Sequence, residues 1–448
     1  MSAPSPTFAI LAMLSRPSPG NKAVLTLPAV AFALVTALSL LVLAGAMSFF
    51  THPIEASNPD LGGTYQMLAG LALALLIAPL LTLGGSAARL SARRRDERLS
   101  TLRLLGGTPA LVGTISIVES TVVAAAGIAA GVVLYAVALP AVALIQFQGK
   151  ARGLAQLWLN PLLVLATAAV LVALAAISAA AGLRHIVLTP LGVRTRQKAP
   201  TAHWMRLALG AVAAMVLFAV MSGLSSSGSV ALVVVLLCAS LAGGMALLNL
   251  VGPYALQRGA GRSLRRAATP ARLLASRIIL ESPKAAWRQV SSLSMTSFIA
   301  VIAGTGLALM AATSEAGSAE DINLVNDMRM GVLITVLASF LLVACSAGVN
   351  QAAAIFDRRD LYVSLNRLGM PRPVMDAARK RAALSPVRIV TAGSATLAAV
   401  LLFPLTGAAM IFAPLSLLVI AAVLSAGIAL VWLGLAATGP VLDKVLDS

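Results

Sequence analysis

Few side chains of this chain could do chemistry, and most of them lie outside its apolar runs. Glu119 is the one acidic residue well inside such a run, where it could have a functional role or make a structural hydrogen bond. His52, His185 and His203 lie at the edges of apolar runs, so we expect no catalytic set and no metal site. The sequence has no G-X-X-X-X-G-K-[ST] phosphate loop, so we expect no enzyme activity and no ATP hydrolysis by the chain itself.

The densest charge lies between two apolar runs, in the segment RRRDERLSTLRLLGG at residues 93–107. Arg, Glu and Leu favour helix, and the Gly-Gly-Thr-Pro sequence that follows the last leucine ends it. Leu99, Leu102 and Leu105 form one apolar stripe, with charged residues on the other faces. The segment predicts a short amphipathic helix, which could lie on anionic lipid or bind a partner protein.

The composition predicts where most of the chain lies. Hydrophobic residues make up 59% of the 448 residues and charged residues 11%, compared with roughly 25% charged residues in soluble domains. We predict an all-α polytopic membrane protein, because the apolar runs lack the alternation of barrel strands. Ten runs approach or exceed the ~20 residues that cross a bilayer. They are 27–50, 66–87, 112–145, 158–182, 206–223, 229–251, 292–313, 330–350, 388–405 and 409–437.

Lysine and arginine are distributed unevenly between alternate loops. If the N-terminus is inside, 30 of the 33 basic residues fall on the cytoplasmic side, and Lys150, Arg152 and Arg329 fall outside. This positive-inside pattern predicts that both termini are cytoplasmic. The net charge of +18 then reflects membrane topology, and we expect no nucleic-acid partner.

An internal repeat relates the first four runs to the last four. Residues 97–106 read EXXXXLRLLG and residues 360–369 read DXXXXLNRLG, at an offset of 263. Each copy follows the second run of its half, and each half has a short acidic outer loop. This order predicts two four-helix modules related by an axis along the membrane normal. Two equivalent charged helices favour a partner with two equivalent sites over lipid alone.

The repeat sets the predicted domains. The first module is 1–200 with its charged helix at 93–106, and the second is 292–448 with its charged helix at 357–369. Between them lie a central transmembrane hairpin at 201–252 and a basic cytoplasmic linker at 253–291.

The pattern ER-X-X-X-LR-X-LG, followed by a span with an early glutamate, resembles the FtsX-like permease domain. Family members are membrane subunits of lipoprotein-release, macrolide-export and bacitracin-type ABC transporters. The ten-span order is similar to that of the bacitracin-type permeases, but outer loops of ~15 residues leave no place for their large extracytoplasmic domain.

The resemblance implies that both charged segments are coupling helices that bind a cytoplasmic ATPase. The implied ATPase interface comprises Glu97, Arg98, Leu102, Arg103, Leu105 and Gly106 in the first segment and Asp360, Leu365, Leu368 and Gly369 in the second. The second copy departs from the first in two places: Asn366 replaces Arg103, and Ala382 stands at the position equivalent to Glu119.

The resemblance further implies a permease subunit in a bacterial inner membrane that exports or extracts a hydrophobic or amphipathic compound such as a lipid, peptide or drug. No cofactor is expected in this chain, because the partner ATPase, in two copies, would bind ATP and Mg²⁺. Membrane lipid and a sensor kinase are further candidate partners. An alternative is a mechanical regulator that relays ATPase motion to a sensor or an envelope enzyme without transport. The scarcity of intramembrane charge disfavours an ion-coupled carrier.

Overall fold

The computed structural model describes residues 22–52, 59–93, 109–147, 150–151, 153–188, 230–313, 319–357, 359–412 and 414–439. These residues form thirteen helices and one short β hairpin. The first half contains α1 (Lys22–Thr51), α2 (Pro59–Arg93), α3 (Pro109–Ala143), β1 (Gln146–Phe147), β2 (Lys150–Ala151), α4 (Leu154–Leu157) and α5 (Pro161–Leu188). The second half contains α6 (Val230–Arg265), α7 (Pro270–Glu281), α8 (Pro283–Thr313), α9 (Ala319–Asp357), α10 (Arg359–Arg367), α11 (Arg372–Leu401), α12 (Phe403–Phe412) and α13 (Pro414–Ala436).

Eight helical segments of the described residues are long and apolar enough to cross a membrane. They lie in α1, α2, α3, α4 with α5, α8, α9, α11 and α13. The prediction of a helical, multi-pass membrane protein is confirmed at this level. The predicted span at 206–223 lies outside the described residues, and the one at 229–251 coincides with the first part of α6, which is not among the eight. The count of ten spans and the module layout therefore stay predictions.

The connections between spans hold more regular structure than the sequence analysis expected. Residues 146–147 and 150–151 pair as antiparallel strands, with Phe147 opposite Lys150. The basic linker is helical, because α6 continues to Arg265 and α7 follows as a separate helix. Pro270 and Pro283 begin α7 and α8, the position where a missing N–H costs least.

The chain forms two compact units. In the described residues, the first unit contains α1 up to Ser48, α2 from Leu80 onward, and α3, α4 and α5. The second unit contains the beginning of α2, the β hairpin, and α6 to α13.

In the first unit, two glycines let α3 lie directly against α1. A Cβ atom at Gly127 would be 2.5 Å from the carbonyl oxygen of Ala29, and one at Gly131 would be 2.6 Å from that of Ala33. Helices in a membrane gain little from apolar burial, so small residues at four-residue spacing are a common way to bring them together. The GIAAG sequence therefore fixes the α1–α3 crossing.

Tyr135 attaches the short α4 to α3. Its hydroxyl donates to the carbonyl oxygen of Leu157 at 3.0 Å and accepts from the N–H of Leu159 at 3.1 Å. Leu40 and Leu139 are buried in the same cluster. The hydrogen bonds satisfy backbone groups that a membrane would leave without a partner.

In the second unit, α8 is central and packs against α6, α9, α11, α12 and α13. Phe298 of α8 and Phe340 of α9 are among its largest fully buried side chains. Thr296 and Ser339 join α8 to α9 by a hydroxyl–hydroxyl hydrogen bond of 2.7 Å. Polar contacts of this kind add directional attraction between helices where apolar surface alone adds little.

We expect Gly127→Ala to lower the free energy of unfolding by about 1–3 kcal/mol, because the added methyl group meets backbone atoms that cannot move independently. Gly45→Ala on α1 is the matched control, since its Cβ would have nothing within 4 Å. It should leave stability unchanged or raise it slightly. Thermal unfolding of the purified protein, followed by circular dichroism, measures both. Equal melting temperatures for the two variants would contradict the assigned crossing.

Candidate functional site

The first predicted coupling segment falls outside the described residues, since α2 ends at Arg93 and the description resumes at Pro109. The predicted contacts that lie there are Glu97, Arg98, Leu102, Arg103, Leu105 and Gly106. They stay predictions.

The second segment forms the separate helix α10, which begins at Arg359 instead of the predicted 357 because α9 extends to Asp357. Asp360 lies in the first turn of α10. The helix ends one residue before Leu368, close to the predicted end.

A glycine-dependent cap ends α10. Gly369 has a φ of +83°, which L-residues other than Asn and Asp rarely adopt. Its N–H donates to the carbonyl oxygen of Asn366, and the N–H of Met370 donates to that of Leu365, both at 3.0 Å. These two bonds define a Schellman motif, and Leu365 and Met370, the two residues that usually pack in it, both lie against one buried cluster. The Gly-Met-Pro sequence thus turns the chain sharply into α11.

One face of α10 is anchored on the ends of two spans. Tyr362 is buried together with Ile355 near the end of α9 and Met375 in the first turn of α11. Burying a side chain such as Met375 contributes roughly 1.5–3 kcal/mol. Because this cluster joins three helices, a displacement of α10 would act on both α9 and α11.

The face of α10 next to the anchored one is open. Leu361 is 47% exposed and Leu368 is 82% exposed. With the exposed Ser364 they follow an i, i+3, i+7 spacing, so they lie on one side of the helix. Exposed Arg367 adds a positive charge beside them. An apolar strip with a basic margin is typical of a surface that binds another protein.

A buried arginine connects the beginning of α11 to the end of α13. Arg379 is 2% exposed. Its guanidinium donates to Asp376 Oδ1 at 2.6 Å, to Thr438 Oγ1, and to the carbonyl oxygen of Leu435 at 3.4 Å. Asp376 also pairs with Lys380 at 2.6 Å. Arg379 therefore fixes α13 to α11 one turn beyond the Met375 anchor of α10.

Sequence reasoning counted Arg379 only among the cytoplasmic charges and missed this role. The available signal was the spacing of Asp376, Arg379 and Lys380, an acid followed by bases at i+3 and i+4. That spacing indicates a local ion pair. The burial of Arg379 against α13 depends on a contact across 59 residues of sequence, which no local pattern encodes.

Glu119 lies in α3, ten residues after its first residue, and is partly buried. It has an interaction partner in the structure. The equivalent position in the second half, Ala382, is buried in α11. The functional and structural interpretations of Glu119 both stay predictions.

A second junction missed by the sequence analysis lies at the beginning of α9. The hydroxyl of Tyr65, in the beginning of α2, donates to Asp327 Oδ2 at 2.7 Å. The ring of Tyr65 stacks on that of Phe49 with centroids 6.1 Å apart, and Phe147 of the β hairpin lies edge-on to Phe49. The junction joins the beginnings of two spans that the repeat relates.

The described residues contain no group of three or more His, Cys, Asp or Glu side chains placed to hold a metal ion. Among the polar contacts that they do contain, those of Arg379, Tyr65 and Tyr135 join separate elements.

We expect Gly369→Ala to destabilise the cap of α10 by about 1–2 kcal/mol, since a Cβ disfavours positive φ. Hydrogen exchange of the Gly369 and Met370 amides should accelerate roughly 5- to 30-fold. Gly369→Asn should accelerate it less, because Asn tolerates this conformation. Gly261→Ala on α6, a glycine with an ordinary φ and open space, is the control. Unchanged exchange in Gly369→Ala would refute the cap.

We expect Arg379→Met to lower the free energy of unfolding by about 2 kcal/mol or more, because Asp376 loses a partner and the buried end of α13 loses its hydrogen bonds. Arg381→Met is the matched control, since Arg381 is exposed and has one long hydrogen bond, to Thr269 at 3.4 Å. It should change stability by less than about 0.5 kcal/mol. Thermal unfolding of both variants measures the difference, and a loss in Arg381→Met as large as that in Arg379→Met would contradict the role of Arg379.

No protein-family model, no curated protein and no solved structure matches the chain. The family resemblance therefore rests on the coupling-segment pattern and on the order of the spans.

Proposed function

We propose that the chain is the permease subunit of an ATP-driven ABC transporter, powered by a separate cytoplasmic ATPase that binds two coupling helices. Its cargo is a hydrophobic or amphipathic compound that it exports or extracts from the membrane. ATP and Mg²⁺ belong to the ATPase subunit. The loop charges orient the chain with α10 and both termini in the cytoplasm of a bacterial cell.

The observation that carries this proposal is the two-sided construction of α10. One side is buried on the ends of two spans, and the side next to it presents Leu361, Ser364 and Leu368 to the surroundings. A helix lying on anionic lipid needs a basic polar face and no anchoring to the spans. A helix that receives force from a partner needs both an open apolar face and a firm anchor. The second description fits α10.

The path from α10 into the membrane supports a mechanical role. Force on α10 reaches α9 through Ile355 and α11 through Met375. Arg379 passes it from α11 to the end of α13 at Leu435 and Thr438. Three spans of the second unit would thus respond together to one contact on α10.

The two-module layout is supported by a close helix contact within each unit. In the first unit, a Cβ at Gly84 of α2 would lie 3.1 Å from Leu174 of α5. In the second unit, a Cβ at Gly348 of α9 would lie 3.3 Å from the carbonyl oxygen of Gly434 of α13. Gly348 lies 264 residues after Gly84, one more than the repeat offset. Gly84 and Gly348 thus lie at nearly equivalent positions, and each lies close to the fourth span of its half.

The junction between Tyr65 and Asp327 supports an axis between the modules. The two residues are 262 apart, one less than the repeat offset. One chain with two such halves fits two ATPase copies.

We expect the combined substitution Leu361→Glu with Leu368→Glu to abolish binding of the ATPase, because two carboxylates replace the apolar strip at the centre of the interface. The tagged full-length chain is purified in detergent from its own cells. Co-purifying nucleotide-binding subunits are identified by mass spectrometry and by ATP hydrolysis in the eluate. Recovery should fall roughly tenfold or more.

Leu273→Glu is the matched control, since Leu273 is an exposed leucine on the basic helix α7 and lies outside α10. It should leave recovery unchanged. Charge reversal by Glu97→Lys with Asp360→Lys tests both segments at once and should also lower recovery. If the unaltered chain recovers no nucleotide-binding subunit, or if all variants recover it equally, the coupling assignment is wrong.

A further inference from the structure

A narrow groove in the second unit lies between α8, α9 and α13. The empty space between its walls, counted together with the open region outside them, is about 430 Å³. Its walls are apolar, with Ala300 and Leu307 from α8, Val336 from α9 and Leu424 from α13 among them. Two polar side chains, Arg329 of α9 and Ser416 of α13, lie together at one end. An apolar cleft with a few polar groups is the usual form of a small-molecule site.

Arg329 is only partly engaged at this end. Its Nη2 donates to the hydroxyl oxygen of Ser416 at 2.8 Å, which is its one hydrogen bond in the described part of the chain. Asp327, the nearest acid in the sequence, accepts from Tyr65. A guanidinium has five N–H donors and binds carboxylate or phosphate with two of them. The polar end of the groove is therefore suited to an anion.

The apolar part has the length of one membrane leaflet. From Ser416 to Leu424 there are eight residues of α13, or about 12 Å of helix. One leaflet contributes about half of a hydrocarbon core of roughly 30 Å. The groove therefore matches one hydrocarbon chain running inward from an anionic group near the membrane surface.

The mouth of the groove faces surface that a membrane would cover. Leu415 and Leu418, on the groove-lining helix α13, are 75% and 65% exposed. Val419 lines the groove and is itself partly exposed. A molecule that reaches the groove through this surface comes from the lipid phase.

We propose that this groove binds an anionic phospholipid of the surrounding membrane. One acyl chain lies between α8, α9 and α13, and the phosphate is bound by the Arg329 guanidinium beside the Ser416 hydroxyl. Free phosphate would leave the apolar length of the groove empty. Basic pockets between membrane helices commonly bind lipid headgroups. The site stands independently of the ATPase partner.

The test uses the full-length chain in phosphatidylcholine vesicles that contain a small, equal fraction of photoactivatable phosphatidylglycerol or photoactivatable phosphatidylcholine. Each probe carries a diazirine on an acyl chain, and labelled peptides are mapped by mass spectrometry. Both lipids carry a phosphate, but in phosphatidylcholine the choline ammonium neutralises its charge. Labelling of the groove-lining parts of α8, α9 and α13 should therefore be roughly tenfold stronger with phosphatidylglycerol. Arg329→Gln should abolish this preference, and Arg329→Lys should keep part of it because the charge remains.

Two glycine substitutions on α8 test the groove itself, independently of the charge of Arg329. Gly304 lines the groove against Ile420, so Gly304→Leu should fill it and lower labelling by both probes. Gly306→Leu, two residues further on and with nothing within 4 Å of its Cβ position, should leave labelling unchanged. Equal labelling by the two lipids, or a preference that persists in Arg329→Gln, would show that Arg329 only reaches toward the membrane surface. Equal effects of Gly304→Leu and Gly306→Leu would place the lipid elsewhere. Either result overturns the proposal.

Discussion

The contact on which the second unit most depends is the close approach of α13 to α9. A Cβ at Gly434 would lie 2.9 Å from the carbonyl oxygen of Ala344, and one at Gly427 would fall within 2.5 Å of the ring of Phe340. Glycine is required at both places, because side chains there would push the helices apart. The contact lies in the C-terminal half of α13. Toward the N-terminal end of α13 the residues that face α9 and α8 include Ser416, Ile420 and Val423, and these line the groove. The tight crossing and the open groove thus lie at opposite ends of the contact between α9 and α13.

This arrangement makes α13 the element that joins the two candidate sites. Its C-terminal end is bound by Arg379 of α11, one turn beyond the Met375 anchor of α10. Its N-terminal end supplies Ser416 to the anion-binding end of the groove. A helix of 23 residues spans about 35 Å, so α13 reaches from one face of a bilayer to the other. A shift of α10 could therefore be transmitted to the groove by rigid displacement of α13, without a chain of rearranged side chains between the sites.

Local patterns in the sequence were enough to predict the apolar helices and the cap of α10. Apolar runs identify spans because the bilayer demands length and internal hydrogen bonding, and Gly-Met-Pro after a leucine-rich helix predicts the turn at Gly369. Contacts between distant elements were not predictable in this way. The burial of Arg379 against Thr438 and the bond of Tyr65 to Asp327 join residues 59 and 262 positions apart. The β hairpin of residues 146–147 and 150–151 was missed because two-residue strands leave no periodicity to detect.

The two halves of the predicted repeat differ in their charges. At the repeat offset, Arg329 corresponds to Gln66, Arg379 to Ser116, and Glu119 to Ala382. A buried or membrane-facing charge is costly to keep, so its presence in one half and absence from the other indicates a task assigned to one half. The second half has the buried arginine that joins its spans and the arginine that faces an apolar groove. The second half therefore differs from the first by these two arginines, one of which joins spans and the other of which lies at the polar end of a groove.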